Sequence, residues 1–295
     1  MSIIKQSITD TIQENRPKLS ASSKKTYVST LSSLYRRLSG LADRYDNKFF
    51  KDHKDAIIES LSGKPAPSRK SVLSALFILT NDDEYRKLML EDCKETNEKY
   101  RDQTKSQKET ENWMSVEDIE KIYRGLFDKV SAMFSRSIVG DPRVIMEFLL
   151  VGLLGGVSGL PPRRSLDYAV MKIRNYSTSD NYYKAGKFYF NIYKTAKRFG
   201  TQVLEVPSEL DKMIKKWIKL NKSDYLLYSS NENHLSSPQI TRILNKVFGK
   251  KVSTDMLRHI FLTERYKNVP SIRDMEELAT QMGHSTATAL EYVKK

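Results

Sequence analysis

Cysteine is almost missing from this chain: Cys93 is the one thiol among 295 residues. That excludes an intrachain disulfide framework and a multi-cysteine zinc site, and it fits an inert thiol in a reducing compartment. Long apolar runs are missing too. The nearest, residues 144–157, carries Glu147 and three glycines and falls short of the roughly 20 residues a membrane span requires, so it predicts a buried core helix. The opening MSIIKQSITDTIQENRPKLS is too polar for a secretory signal peptide. There is no glycine-rich Walker or dinucleotide loop, no HExxH and no Cys/His cluster with metal spacing, which argues against ATP-driven and zinc chemistry and leaves no metal or cofactor to expect. Acidic residues are in deficit: 36 Asp plus Glu against 50 Lys plus Arg leave a formal charge of +14 and a pI near 9.5. The excess is spread over many segments and favours a polyanionic partner, a nucleic acid or an anionic membrane surface.

What is present describes a polar globular protein, 39% hydrophobic and 29% charged, whose length predicts about two domains. Residues 1–95 read as a small helical unit. In LSASSKKTYVSTLSSLYRRL, Tyr27, Leu31, Leu34 and Leu38 recur at helical spacing, with serines before the run and Gly40 after it. The opposite face carries Lys24, Lys25, Arg36 and Arg37. A second helix follows the breaker KPAP and carries Arg69 and Lys70 at its start. Residues 96–112 are charged and nearly free of aliphatic side chains, which predicts a linker. The second unit, residues 113–295, opens with Ser115 and Asp118 in capping-box register. It then offers three strand candidates, over residues 169–173, 187–193 and 201–206, and returns to helices beyond Pro207, the last two beginning near Ser253 and Ser271. The expected fold class is mainly α with a small antiparallel β-sheet.

The four histidines, His53, His234, His259 and His284, are scattered, and His53 and His234 read as surface or packing residues. The C-terminal third differs. The strings SGLPPRRSLDYAVMKI, IYKTAKRFG, DMLRHIFLTERY and MGHSTATALEY occur there in that order, and together they resemble the boxes of the tyrosine recombinase family, the phage-integrase-like enzymes that break and join DNA. The resemblance covers residues 113–295, and the preceding helical unit is similar in placement to the family's core-binding domain. It maps the first-box arginine and its acid to Arg164 and Asp167, with Arg163 as the competing register. The hairpin lysine falls on Lys194, with Lys197 as an alternative, the second-box arginine on Arg258, and the Gly-His histidine and the nucleophile on His284 and Tyr292.

The chemistry implied by the resemblance needs these residue types. A tyrosine can store a phosphodiester as a covalent 3′-phosphotyrosine. Two guanidinium forks, Arg164 and Arg258, match the charge that builds on the phosphate oxygens. Lys194 would protonate the leaving 5′ oxygen, His284 would donate to the same phosphate, and Asp167 would orient Arg164. Two features depart from the family. Asp255 stands where the family has histidine or lysine, so either an acid held protonated serves the phosphate or a carboxylate pairs with a neighbouring cation. The interval from His284 to Tyr292 is also one residue shorter than usual, and only three residues follow the tyrosine. An exchange of C-terminal segments between subunits would therefore involve the tyrosine helix itself, or the chain is truncated.

The resemblance implies a site-specific recombinase or integrase, needing neither metal nor nucleotide, that acts intracellularly on double-stranded DNA as a dimer or tetramer. The PPRR form of the first box is similar to recombinases of mobile elements and large viruses of eukaryotes. Two rivals remain: a monomeric type IB topoisomerase, and a DNA-binding protein with a degenerate site, for which Asp255 is the argument. His259, beside Arg258, is a supporting residue without an assigned role.

Overall fold

A computed structural model describes residues 2–40, 44–101, 103–135, 141–267 and 271–294. The chain divides into two units, residues 1–102 and 103–295, each with its own apolar core.

In the first unit, α1 (Ile3–Asn15) buries Ile4, Ile8 and Ile12, a stripe at four-residue spacing along an otherwise polar segment. Each such side chain stabilises the unit by about 1.5–3 kcal/mol when fully removed from water. Helix α2 (Ala21–Ser39) begins where the Ser20 side chain accepts the Ser23 amide and ends at Gly40, left-handed at φ 69°. Short helices α3 (Phe49–Asp52) and α4 (Lys54–Glu59) lead to α5 (Ala66–Thr80) and α6 (Asp83–Arg101). The apolar faces of α1, α2 and α5 meet around Leu31, Tyr35, Ala75 and Leu76, and α6 packs along α5. The Asn15 amide donates to the carbonyls of Ile78 (3.0 Å) and Leu79 (2.8 Å), fastening the end of α1 to the end of α5.

The second unit runs α7 (Gln107–Asn112), α8 (Val116–Ser135), α9 (Pro142–Leu154), α10 (Ser165–Ala169), β1 (Tyr182–Lys184), β2 (Lys187–Phe190), α11 (Ala196–Phe199), β3 (Gln202–Glu205), α12 (Ser208–Leu220), α13 (Ser237–Phe248), α14 (Thr254–Arg265), α15 (Ile272–Gln281) and α16 (Thr286–Glu291). The sheet order is β1-β2-β3 with both pairings antiparallel, Tyr183 facing Phe188 and Phe188 facing Leu204. Phe188 and Phe190 turn inward onto the ring of Tyr168. Helix α9 is the buried core helix that residues 144–157 predicted, enclosed from Phe148 to Leu154. Helices α8, α13 and α14 pack around it.

The fold is mainly α with a small antiparallel sheet, as expected, but two elements differ. Residues 169–173 do not form a strand. Ala169 ends α10, and beyond it only Lys172 makes isolated bridges, to Tyr182 and Tyr225. Met171 and Ile173 are buried, so the run is apolar because the connection is covered, not because it is pleated. The third strand is β1, which precedes a turn through Ala185 and Gly186, both at positive φ. The stretch expected as a linker is mostly helical: α6 continues to Arg101 and α7 fills residues 107–112, with residue 102 outside the described residues. Its Glu, Lys and Gln are good helix formers without being core formers, and Ser106 and Glu109 close a reciprocal capping box at the start of α7.

Candidate active site

Helix α14 carries a fully buried cation. It starts at Ser253, whose side chain accepts the Met256 amide, and buries Met256, Leu257, Ile260 and Leu262. That packing takes Arg258 fully out of solvent. One Arg258 nitrogen, Nη1, donates to Asp255 Oδ1 at 3.3 Å, and Nη2 meets His284 Nδ1 at 3.5 Å. Arginine only donates, so His284 Nδ1 is the acceptor and its Nε2 carries the hydrogen.

The Gly-His pair is placed by the way α15 ends. The His284 amide donates to the Ala279 carbonyl (2.8 Å) and the Gly283 amide to Thr280 (2.9 Å), a Schellman motif with Gly283 left-handed at φ 72°. A Cβ on Gly283 would lie 3.3 Å from Arg163 Nη2. The connection after β2 is fastened to the same turn, Thr195 Oγ1 donating to the Gly283 carbonyl at 2.9 Å. Helix α16 then begins at Ser285 and ends at Tyr292. The Tyr292 ring centroid lies 4.3 Å from the Arg258 guanidinium carbon, 5.1 Å from the His284 ring and 4.9 Å from that of His259.

The two neighbouring arginines at the start of α10 do different things. Arg163 is fully buried: Nε donates to Asp167 Oδ2 (3.0 Å), Nη1 to Gln202 Oε1 and the Gln281 carbonyl (2.6 Å each), and its plane lies over Phe190. Arg164 is the N-cap of α10 and half-buried. Four donors in the cluster are buried without a hydrogen-bond partner: Arg163 Nη2, Arg164 Nη1, Arg258 Nε and His284 Nε2. Such groups are costly unless something accepts from them.

Charge acts strongly here. Burial, then the charges of Arg258, Arg164, Arg163 and Lys194, push His284 down to about 3, so it is neutral at neutral pH. Burial lowers Arg258, with Arg164 adding to the effect, though a guanidinium stays charged. Burial raises the Tyr292 phenol, with Arg258 and Arg164 pulling it back. Burial also pushes the Asp167 carboxyl above its usual range, against the pull of Arg163, Arg164 and Arg258. Four cations share this volume with Asp167 and Asp255, an arrangement suited to an anion whose negative charge grows during reaction.

No protein-family model and no curated protein matches the sequence. Solved structures do match. A lambda integrase fragment, residues 75–356, solved as a dimer bound to a COC′ core site, superposes with TM-score 0.51 at 16% identity, covering 97% of this chain and 94% of that one. The same fragment bound to DNA gives 0.50 at 15% identity, again over 97% and 94%. A lambda integrase dimer on a COC′ core site gives 0.50 at 14%, over 97% of this chain and 76% of that one. The fold is that of a tyrosine recombinase.

Within the tyrosine recombinase fold the expected residues Arg163, Arg164, Asp167, Arg258, His284 and Tyr292 come together, and Lys194, exposed in the connection after β2, is near enough for its charge to act on His284. One assignment changes, and one of two alternatives is found. Asp167 takes its hydrogen bond from Arg163, so it acts on Arg164 through charge alone. Asp255 is 73% exposed and pairs with Arg258, the ion-pair alternative. His259 turns away from the cluster, Nδ1 donating to the Tyr292 carbonyl at 2.8 Å. In the first unit Lys25, Arg36 and Arg37 are exposed and Lys24 and Lys70 half-buried, Lys24 donating to Gln13 and Arg36 to Ser2 Oγ. Arg69 is committed to Asp92 and Glu95 within its own unit, which removes it from the expected phosphate contacts. His53 stacks on Phe49, and His234 bonds the Leu235 carbonyl, packing roles as expected. Sequence reasoning missed Gln202, which bridges Arg163 and the Thr280 carbonyl (2.6 Å), and Thr195. Thr195 lies in the IYKTAKRFG string beside Lys194 but its role there was not read, and Gln202 belongs to no local motif.

Proposed function

We propose that this protein is a site-specific DNA recombinase or integrase that cleaves and rejoins duplex DNA through a 3′-phosphotyrosine on Tyr292. The reading rests on one observation: a cluster with four buried donors without partners, on Arg163, Arg164, Arg258 and His284, holds a tyrosine whose ring lies on Arg258. A phosphodiester supplies the acceptors those donors lack. Tyr292 attacks the phosphorus, its phenol proton passing to solvent water, as the bond to the 5′ oxygen breaks. Lys194 hands that oxygen a proton. Arg164 and Arg258 hold the equatorial oxygens, and the Nε2–H of neutral His284 donates to one of them. Attack by a 5′ hydroxyl reverses the sequence and rejoins the strand. Bond energy is kept in the ester, so the cycle needs no ATP.

In this reading Lys24, Lys25, Arg36, Arg37 and Lys70 meet the DNA backbone, and the enzyme works inside the cell as a dimer or tetramer on paired sites. The PPRR string supports an origin in a virus or mobile element of eukaryotes. A second reading, a DNA-binding protein with a degenerate site, is favoured by the Asp255–Arg258 pair at 3.3 Å, because a carboxylate beside the phosphate opposes its charge.

A supercoiled plasmid assay with denaturing capture of covalent protein–DNA adduct separates the readings. The wild-type chain forms adduct and exchanges strands. Tyr292→Phe keeps its DNA affinity and forms none, because only the hydroxyl is lost. Adduct persisting in Tyr292→Phe overturns the assignment, and absence of adduct in the wild type favours the degenerate site.

A further inference from the structure

The segment ahead of α8 touches the tyrosine helix at one end and the approach to α14 at the other. Gln103, at φ 53°, donates from Nε2 to the Leu290 carbonyl at 2.8 Å. Glu109 divides its carboxylate: Oε2 closes the capping box with the Ser106 amide (2.9 Å) and hydroxyl (2.7 Å), and Oε1 faces His259 Nε2 at 3.8 Å. The Asn112 side chain accepts the Lys251 amide at 2.8 Å, and the Trp113 carbonyl accepts from Lys250 Nζ at 3.0 Å.

His259 joins this strap to the nucleophile. Its Nδ1 must carry a hydrogen, because its partner at 2.8 Å is the Tyr292 carbonyl, which only accepts. The other nitrogen, bare in the neutral ring that burial favours, packs against the mostly buried Glu109 carboxylate at 3.8 Å without a hydrogen bond, each side chain 15% exposed. Lys294 and Asp255 are the other charges acting on His259, and Lys294 also acts on Glu109. None of these groups belongs to the cluster that would hold phosphate, apart from the Asp255 link to Arg258.

We infer that residues 103–112 form a tether that positions Tyr292, through the hydrogen bond of Gln103 to the preceding turn and through the packing of Glu109 against His259, whose Nδ1 holds the Tyr292 carbonyl. His259 is thus a positioning residue. The tether fixes the depth at which the phenol enters the arginine cluster, where it meets Arg258, and holds it by the backbone alone. The inference rests on Tyr292 being the nucleophile, so its test needs a readout that does not depend on chemistry.

Amide hydrogen exchange of the full chain supplies that readout at the amides of residues 292–294, which bond to Ala289, Leu290 and Thr263. Losing a hydrogen bond of this kind speeds exchange there by about tenfold in His259→Ala. His259→Asn keeps a donor at the Nδ1 position and falls between His259→Ala and wild type, a rescue that a volume effect would not give. Glu109→Ala, which removes the packing against His259, loosens the same amides less than His259→Ala does. The rate of adduct formation falls in the same order while DNA affinity holds. Exchange at residues 292–294 unchanged from wild type in both His259→Ala and Glu109→Ala overturns the tether. If wild-type protein forms no adduct, the nucleophile reading fails, and the exchange series alone still decides whether the tether exists.

Discussion

Arg163 and Arg164 are adjacent in sequence and divided in task, which single substitutions can expose. Arg163 spends two of its nitrogens on Asp167, Gln202 and the Gln281 carbonyl in a fully buried setting. Arg163→Met leaves the Asp167 carboxylate buried without its partner and should cost about 3–5 kcal/mol in denaturant unfolding. Arg164 is half-buried with Nη1 unpartnered, so Arg164→Ala should leave the unfolding midpoint nearly unchanged and reduce cleavage by orders of magnitude, as for removal of a transition-state donor. Equal stability losses would assign both to the scaffold. His284 gives a second prediction, in pH. Its folded value of about 3 lies below the unfolded value of 6.5, so between the two the unfolded chain binds more protons. Stability is therefore complete above the unfolded value and falls as pH drops, with a slope of at most about 1.4 kcal/mol per pH unit from this group. His284→Asn, still a donor, should flatten that slope in unfolding curves measured between about pH 4 and 6.

Among the elements, the turn from α15 to α16 concentrates the most function in the fewest residues. Gly283→Ala places a Cβ at φ 72° and 3.3 Å from Arg163 Nη2, which should cost about 1–2 kcal/mol in conformational strain and lower cleavage further than that loss explains, because His284 moves with the turn. Circular dichroism melts read the first effect and adduct yield the second. The Gly-His pair of this turn was readable in advance through its resemblance to the family's third box. So were α2 and α13, whose apolar spacing and caps agree, and α12 by its spacing alone. Helix α1 was not, because three isoleucines among polar residues carry too little signal until Leu31 and Leu76 cover them. The run at residues 169–173 misled because burial, not pleating, made it apolar, and the helices within 96–112 were not read because a charged sequence without a core face still forms helices when capped. The arginines, the lysine, His284 and Tyr292 were legible as motifs. Gln202, Thr195 and the link from Glu109 to His259 were not, since each joins segments far apart in the sequence and only the fold brings them together.

At the scale of the whole molecule, Tyr292 lies on the Arg258 and His284 of its own chain. The proposed reaction then follows an arithmetic of intact copies. A copy lacking Arg258 and a copy lacking Tyr292 each hold a broken set, and placing them side by side on one DNA repairs neither. Mixing Arg258→Ala with Tyr292→Phe protein at equal concentration should give no more adduct than either alone, while a tyrosine delivered to its neighbour would restore cleavage at one site in such a mixture. Within an assembly of wild-type and Tyr292→Phe copies, adduct should fall in simple proportion to the wild-type fraction. A defective copy would silence its own strand and leave the next untouched, so that loss of function in this protein is recessive at the level of the single cut and becomes dominant only where paired cuts are needed to complete an exchange.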